Sequence, residues 1–305
     1  MRPAVRALLV CVGLLAATEV GLRVTGRGPW RPFADLAQVP RMSAPDPELG
    51  WVSLPGDHVW STATGTVRTH IAADGSRGFP GTGERTVVLL GGSYMFGFGL
   101  SDEDVVNSRL VRLRADLRVI DHAVPGYGTH QSALLAERLD LRGATVVYGL
   151  VELHEGRNVA ATSWLRGLEQ GARDQAWVRV PWARWDGERL LSGPPVGYRH
   201  WSLSERVALV DAGERAWIGL TDRLLRTKLE TTVRLITDLR DRVEAAGGRF
   251  LVALLDLPTR HATYASRLAA AGVETLDLQV SGRLPDGHPD ASTHAEWAEK
   301  LAVVL

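Results

Sequence analysis

The segment Val87–Asp104, VVLLGGSYMFGFGLSDED, carries the strongest fold signal in this chain. Residues 86–90 form a continuous apolar run, which is typical of a parallel β-strand buried on both faces. Two glycines and Ser93 follow directly, so the run ends in a sharp turn. In α/β proteins, reactive side chains gather just beyond the carboxyl ends of such strands. The segment therefore predicts a strand, a tight turn with an accessible serine, and a helix.

The same alternation of strands and helices continues to the end of the chain. Further strands are predicted at 118–124, 145–151, 250–255 and 273–278, and helices at 103–115, 130–141, 225–243, 259–271 and 292–304. Alternating strands and helices require right-handed crossovers and a parallel sheet covered on both faces. We expect a three-layer α/β domain of the flavodoxin type, with a five-stranded parallel sheet of order 2-1-3-4-5.

The chain of 305 residues divides into three parts by its composition. Residues 1–24 are apolar, residues 25–84 are a lead-in rich in proline and glycine, and residues 85–305 form the main domain. An insertion at about 160–222 interrupts the main domain and includes a hairpin at 177–190. The insertion holds six of the ten tryptophans: Trp164, Trp177, Trp182, Trp185, Trp201 and Trp217.

The first residues resemble a secretory signal. Two arginines precede an apolar run from Ala7 to Ala17, as in the basic and apolar regions of a signal peptide. Only 16 residues separate Arg6 from Arg23, fewer than the roughly 20 that a transmembrane helix prefers. Cleavage after Ala17 and retention as an anchor both remain open. Either outcome predicts an extracytoplasmic protein, with membrane association through residues 5–22.

The charge pattern excludes some functions. Lys and Arg together number 35, as do Asp and Glu, and no run of five like charges occurs. This argues against nucleic-acid binding. No cofactor motif is present: Gly91-Gly92-Ser93 lacks the Gly-Lys-Ser/Thr of a nucleotide-binding loop. The sequence also shows no set of metal ligands. Glu152 and Glu155 lack a third ligand at suitable spacing.

Three sites contain residues that could perform chemistry. Ser93 follows the first strand, Gly126 follows the second, and His288 lies two residues after Asp286 in a late polar loop. A serine hydroxyl becomes nucleophilic when a histidine accepts its proton and a carboxylate orients that histidine. Each site taken alone has another interpretation. The serine turn could be a phosphate-binding loop or a plain turn, the glycine segment a tight turn, and His288 a solvated surface residue.

Taken together, the three sites resemble the sequence blocks of SGNH (GDSL-type) serine hydrolases. VVLLGGSYMFGFGLSDED is similar to their nucleophile block, VIDHAVPGYGTHQ (119–131) to their glycine block, and DGHPDASTHAEWAEKLA (286–302) to their terminal Asp/His block. The lead-in segments DPELGWVSLPG and ADGSRG also resemble those of bacterial membrane-anchored members. The resemblance implies a triad of Ser93, His288 and Asp286, with the backbone N–H groups of Ser93 and Gly126 in the oxyanion hole.

The chain departs from the family in two places. Gly92 replaces the aspartate that usually precedes the serine. The usual Gly-x-Asn-Asp after the third strand is also absent, and ELHEGRN (152–158) stands there instead. Two candidates for the missing oxyanion-hole donor are Asn158 and His154.

The resemblance implies hydrolysis of a carboxylic ester, with an O-acetylated glycan or a lipid ester as substrate. One rival is an O-acyltransferase that uses the same triad and passes the acyl group to a sugar hydroxyl. Another is a glycan-binding or assembly protein that keeps the fold with little catalysis. The missing asparagine block and the abundant tryptophans favour this last alternative.

Overall fold

The computed structural model describes residues 2–32, 41–171 and 178–305. It begins with helix α1 (Pro3–Val24), in which no residue is buried. Two antiparallel hairpins follow in the lead-in: β1 (Ser43–Asp46) with β2 (Gly50–Ser53), and β3 (Gly56–Thr62) with β4 (Gly65–Ile71). Short strands were expected in this region.

The first half of the α/β domain alternates strands with short helices. Its elements are β5 (Arg85–Gly91), α2 (Ser93–Phe96), α3 (Val106–Leu113), β6 (Leu117–Asp121), α4 (Thr129–Ala136) and β7 (Thr145–Val151). The predicted second strand, 118–124, begins one residue late and extends three residues beyond the end of β6. Asp121 accepts a hydrogen bond from the backbone N–H of Ala123 at 2.9 Å, and the chain leaves the sheet there for the glycine turn.

The second half contains the predicted insertion and the remaining strands. Its elements are α5 (His154–Asn158), α6 (Thr162–Gly171), β8 (Val180–Trp185), β9 (Leu190–Val196), α7 (Ala208–Leu224), α8 (Lys228–Ala245), β10 (Arg249–Asp256), α9 (His261–Ala270), β11 (Glu274–Asp277) and α10 (Ala291–Val304). Strands β8 and β9 form an antiparallel hairpin. Trp177, at the start of the predicted hairpin, lies outside the described residues.

The central sheet has the strand order β6-β5-β7-β10-β11, and all its pairs are parallel. In chain order this is 2-1-3-4-5, so the predicted fold class and strand order are confirmed. Successive side chains of a strand face opposite sides of the sheet. Val87 and Leu89 accordingly pack in a cluster with α3 and α10, whereas Val88 and Leu90 pack in a cluster with α8 and α9.

A third apolar cluster joins the lead-in to the insertion. It contains Leu49 and Trp51 from the lead-in, Tyr127 from the glycine turn, and Leu165 and Val180 from the insertion. The glycine turn after β6 is thus enclosed by segments distant from it in sequence.

A buried arginine ties the lead-in to the loop that follows α2. The Arg77 side chain is fully buried and pairs with Asp102 at 2.9 Å. Its guanidinium also donates to the carbonyls of Phe96, Gly97 and Leu100. Because one cation satisfies three carbonyls, the loop after the serine is fixed in place.

Asp121 is a buried carboxyl group whose protonation makes the stability of the protein depend on pH. The carboxyl group is buried, its Oδ2 has no partner among the described residues, and burial raises its pKa from 3.8 to about 7. The native state therefore keeps a proton that the unfolded chain releases, so wild-type stability falls as pH rises through this window. In Asp121→Asn the neutral amide removes this dependence. We expect a gain in the free energy of unfolding of up to about 4 kcal/mol at pH 8 and little change at pH 4.

Urea unfolding of the full-length protein in detergent at pH 4, 6 and 8 measures this effect. Asp241→Asn is the control, because Asp241 is 60% exposed and should change stability by less than about 0.5 kcal/mol. Parallel pH profiles for Asp121→Asn and wild type would contradict a protonated Asp121.

Candidate active site

Ser93 is the first residue of α2 and follows the end of β5 directly. Gly91 has φ +147°, and a Cβ added there would lie 3.0 Å from the carbonyl oxygen of Gly149 on the neighbouring strand. A residue with a side chain would strain this turn. As the first helical residue, Ser93 has a backbone N–H without an intrahelical acceptor.

His288 reaches Ser93 from a loop near the end of the chain. Its Nε2 lies 3.0 Å from Ser93 Oγ, although 195 residues separate the two in sequence. A turn shapes the loop: Leu284 N–H donates to the His288 carbonyl at 2.8 Å, and Gly287 has φ +88°. Tyr94 and Phe98 flank the imidazole, with ring centroids at 5.5 and 5.1 Å.

Asp286 contacts His288 in two ways. Its Oδ1 accepts the backbone N–H of His288 at 3.1 Å, and its Oδ2 lies 3.1 Å from Nδ1. The second contact has the distance of an ion pair, but its direction is not that of a hydrogen bond, so Nδ1 has no hydrogen-bond acceptor among the described residues. Asp286 thus orients the loop and places negative charge beside the ring.

The environment keeps His288 neutral at physiological pH. Burial lowers the pKa of His288 below its ordinary 6.5, the charge of Asp286 opposes this, and the cations Arg157 and Arg283 lower it further. A neutral imidazole has a free lone pair. It can therefore accept the proton of Ser93.

The glycine turn after β6 is held against a tryptophan. Gly126 has φ +88°, and a Cβ added there would lie 2.9 Å from the ring of Trp51. The Trp51 indole N–H donates to the Pro125 carbonyl at 3.1 Å, and the Tyr127 hydroxyl donates to the Trp51 carbonyl. Among the described residues, the backbone N–H of Gly126 has no acceptor.

The amide of Asn158 is fully engaged away from Ser93. Its Oδ1 accepts the backbone N–H of His130 at 3.0 Å, and its Nδ2 donates to the hydroxyls of Thr129 and Thr232 at 3.1 and 2.9 Å. The structure thus uses Asn158 to join α5 to α4 and α8.

His154 lies behind the serine turn. It is fully buried, and its Nε2 lies 3.1 Å from the point where a Gly92 Cβ would be. Its Nδ1 lies 2.6 Å from the hydroxyl of Tyr148, which donates its single hydrogen to Thr129. Nδ1 therefore carries the proton of the imidazole, and burial lowers the pKa of His154 far enough to keep it neutral. In this tautomer Nε2 has a lone pair and cannot donate.

Arg157 lies at the same turn, although no motif in the sequence assigns it a role. Its Nη1 lies 3.0 Å from the position of a Gly92 Cβ and donates to the Tyr127 carbonyl at 2.9 Å. Its guanidinium carbon is 4.5 Å from the centre of the Trp164 ring. The only signal in the sequence was a basic residue six positions after the end of the third strand.

The carboxylates near this site have other partners. Glu152 accepts from the backbone and hydroxyl of Thr259, and Glu155 accepts from the hydroxyl of Tyr264. Within residues 2–32, 41–171 and 178–305, no cluster of three or more His, Cys, Asp or Glu is placed to hold a metal ion.

Comparisons with protein families and with curated proteins gave no match. Similar solved structures include a lipolytic protein of the G-D-S-L family from Desulfitobacterium hafniense, with 14% identity and a TM-score of 0.40 over 73% of this chain and 100% of that one. A G-D-S-L family member from Veillonella parvula shows 8% identity and a TM-score of 0.39 over 72% and 98%. An acylhydrolase from Bacteroides fragilis shows 13% identity and a TM-score of 0.38 over 74% and 89%. These scores are too low to assign a function.

Asn158→Ala distinguishes a structural amide from a catalytic one. Removing the amide leaves the backbone N–H of His130 without its acceptor, and we expect a loss of about 1–3 kcal/mol in the free energy of unfolding. The rate at which folded protein reacts with a fluorophosphonate should stay within about threefold of wild type, because one oxyanion donor is worth far more.

Asn107→Ala is the matched control, since Asn107 is equally buried and donates to the Arg77 carbonyl. Both variants should lose stability and neither should lose reactivity. A reactivity loss of about 100-fold in Asn158→Ala alone would instead identify its amide as an oxyanion donor.

Proposed function

We propose that this protein is a serine esterase that hydrolyses carboxylic esters, with Ser93 as nucleophile, His288 as base and Asp286 as the carboxylate that orients it. The observation that carries the proposal is the 3.0 Å contact between Ser93 Oγ and His288 Nε2. This contact joins the start of α2, just beyond the end of β5, to a loop near the end of the chain, and the environment of His288 keeps the imidazole neutral.

Acylation begins when Ser93 Oγ attacks the carbonyl carbon of the ester. The hydroxyl proton moves to His288 Nε2, and the carbonyl π electrons move onto oxygen, forming a tetrahedral oxyanion. The oxyanion collapses, the bond to the leaving oxygen breaks, and that oxygen takes the proton from His288. Asp286 stabilises the imidazolium that exists between these two transfers.

Deacylation repeats the sequence with water as the nucleophile. His288 takes a proton from water, the hydroxide oxygen attacks the acyl carbon, and collapse of the second oxyanion returns the proton to Ser93 Oγ. The backbone N–H groups of Ser93 and Gly126 are suited to stabilise both oxyanions. Neither has a competing acceptor among the described residues.

The proposed substrate is an O-acyl ester of an extracytoplasmic glycan or lipid. This class is suggested by the resemblance to bacterial membrane-anchored hydrolases and by helix α1. An open cavity of about 570 Å³ adjoins Arg157, and its lining combines the ring of Trp164 with charged side chains, among them Glu152, Glu155, Lys228 and Asp256. Its size suits an acyl group or a sugar ring.

We propose that α1 stays attached as a membrane anchor. It has 22 residues, and its length and apolar composition would allow it to cross a membrane. Near its end, Glu19 accepts the backbone N–H groups of Ala208 and Leu209, the first residues of α7, at 3.0 and 2.8 Å. Arg23 also donates to the Arg206 carbonyl at 2.6 Å. A cleaved signal peptide would have no need of such contacts.

Retention of α1 is tested by intact mass. Full-length protein exported in a bacterial host should remain in carbonate-washed membranes with α1 present. Glu19→Ala should keep the anchor but loosen α7, which shows as faster amide exchange at residues 208–212. A soluble chain beginning after Ala17 would contradict an anchor and support cleavage.

Fluorophosphonate labelling tests the nucleophile. The full-length protein in detergent should gain one adduct, and Ser93→Ala and His288→Ala should gain none. The labelling rate should rise with pH to a midpoint below 6.5 and then stay level, because the neutral form of His288 is the reactive one and its pKa is lowered.

Ser292→Ala is the matched control, since Ser292 is an exposed serine that donates to Asp290. Its labelling should equal that of wild type. An unlabelled wild type with native circular dichroism would overturn the serine-esterase proposal.

A further inference from the structure

Arg157 is a buried cation next to the proposed nucleophile turn. Its side chain is almost entirely enclosed, and no ion pair joins it to any Asp or Glu in the described part of the chain. Its Nε is buried without an acceptor, and its Nη2 also lacks an acceptor among the described residues. Burial lowers the pKa of Arg157 to about 10, so the group is still charged at neutral pH.

Few groups compensate the buried charge of Arg157. Removing an ion from water costs several kcal/mol unless other groups compensate. Here the compensation consists of the Tyr127 carbonyl at 2.9 Å and the face of Trp164 at 4.5 Å. Both groups interact more weakly with a guanidinium than a carboxylate does. The positive charge of Arg157 is therefore only partly compensated by the described residues.

The position of Arg157 relates this charge to the proposed reaction. The guanidinium lies between the serine turn, 3.0 Å from the missing Gly92 Cβ, and the glycine turn, where it bonds Tyr127. These turns carry the two backbone N–H groups assigned to the oxyanion. Gly92, whose absent Cβ would lie 3.0 Å from this guanidinium, has no side chain that could neutralise it.

We propose that Arg157 is the third oxyanion-stabilising group and a catalytic residue of this site, in place of an amide side chain. This inference rests on the proposed esterase function. The neutral ester gives the guanidinium no counter-charge, whereas the tetrahedral intermediate places a full negative charge between the two turns. An interaction that strengthens only as the charge develops lowers the barrier without tightening ground-state binding.

Hydrolysis of p-nitrophenyl acetate by the full-length protein in detergent tests the proposal. Rates are divided by the concentration of active sites, titrated with a fluorophosphonate. Arg157→Gln should lower kcat by about 100-fold with KM within about threefold, because a charged donor to the oxyanion is lost. The kinetic pKa of His288 should also rise, since one cation that lowers it is removed.

Two further variants separate catalysis from structure. Arg157→Lys keeps the charge, so the kinetic pKa should stay near that of wild type, while kcat falls by about tenfold because the planar fork of donors is lost. Arg184→Gln is the matched control: Arg184 stacks on Trp182 at 5.1 Å and donates to the Val159 carbonyl, and its removal should leave kcat unchanged.

The outcomes distinguish this inference from the proposed function. The role of Arg157 would be overturned if the wild type reacts with the fluorophosphonate but Arg157→Gln has the same titrated kcat and the same kinetic pKa. The esterase proposal would then still stand. If Arg157→Gln does not fold, Arg157→Met, an uncharged side chain of similar length, takes its place, and an unchanged titrated kcat in that variant would overturn the role equally. A wild type without fluorophosphonate labelling would overturn both.

Discussion

The close approach of the chain to itself at Gly91 and Gly92 is the constraint on which the site depends. A Cβ at Gly91 would meet the carbonyl oxygen of Gly149, and a Cβ at Gly92 would meet Nη1 of Arg157 and Nε2 of His154, each near 3 Å. Without side chains at these positions, β5 can lie against β7 and still turn sharply into α2. The same turn presents the hydroxyl of Ser93 to His288 in the late loop and leaves the Ser93 backbone N–H without an acceptor among the described residues.

The two buried arginines near this turn have opposite surroundings. Arg77 has a carboxylate partner in Asp102 and several backbone carbonyls, so its charge is neutralised within the protein. Arg157 has one carbonyl and an aromatic face. The neutralised charge of Arg77 stabilises the loop after α2. The charge of Arg157, which has no counter-ion among the described residues, produces a positive electrostatic potential at the neighbouring turns. The first arginine belongs to the scaffold, whereas the second is the residue that we propose takes part in catalysis.

The segments outside the sheet fix the second half of the proposed oxyanion hole. Trp51 of the lead-in supports the turn at Gly126 and bonds the Pro125 carbonyl, and Trp164 of the insertion covers Arg157. Apolar packing of rigid rings against glycine leaves the turn little freedom. Preorganised donors need no rearrangement as charge develops, which is how such sites lower barriers.

The sequence alone determined the strands and helices of the α/β domain, because apolar runs and helical spacing are local patterns that each segment carries itself. The order of the strands was expected from the flavodoxin-like fold that the family resemblance implies. It also indicated Ser93 and His288, since each block has its own signature. The roles of ELHEGRN could not be predicted in this way. Whether Asn158 bonds two threonines, and whether Arg157 meets a carboxylate, depends on side chains from α4, α8 and the glycine turn. Only tertiary packing determines which polar groups are already paired and which remain free, because hydrogen bonds and counter-charges come from residues distant in the chain.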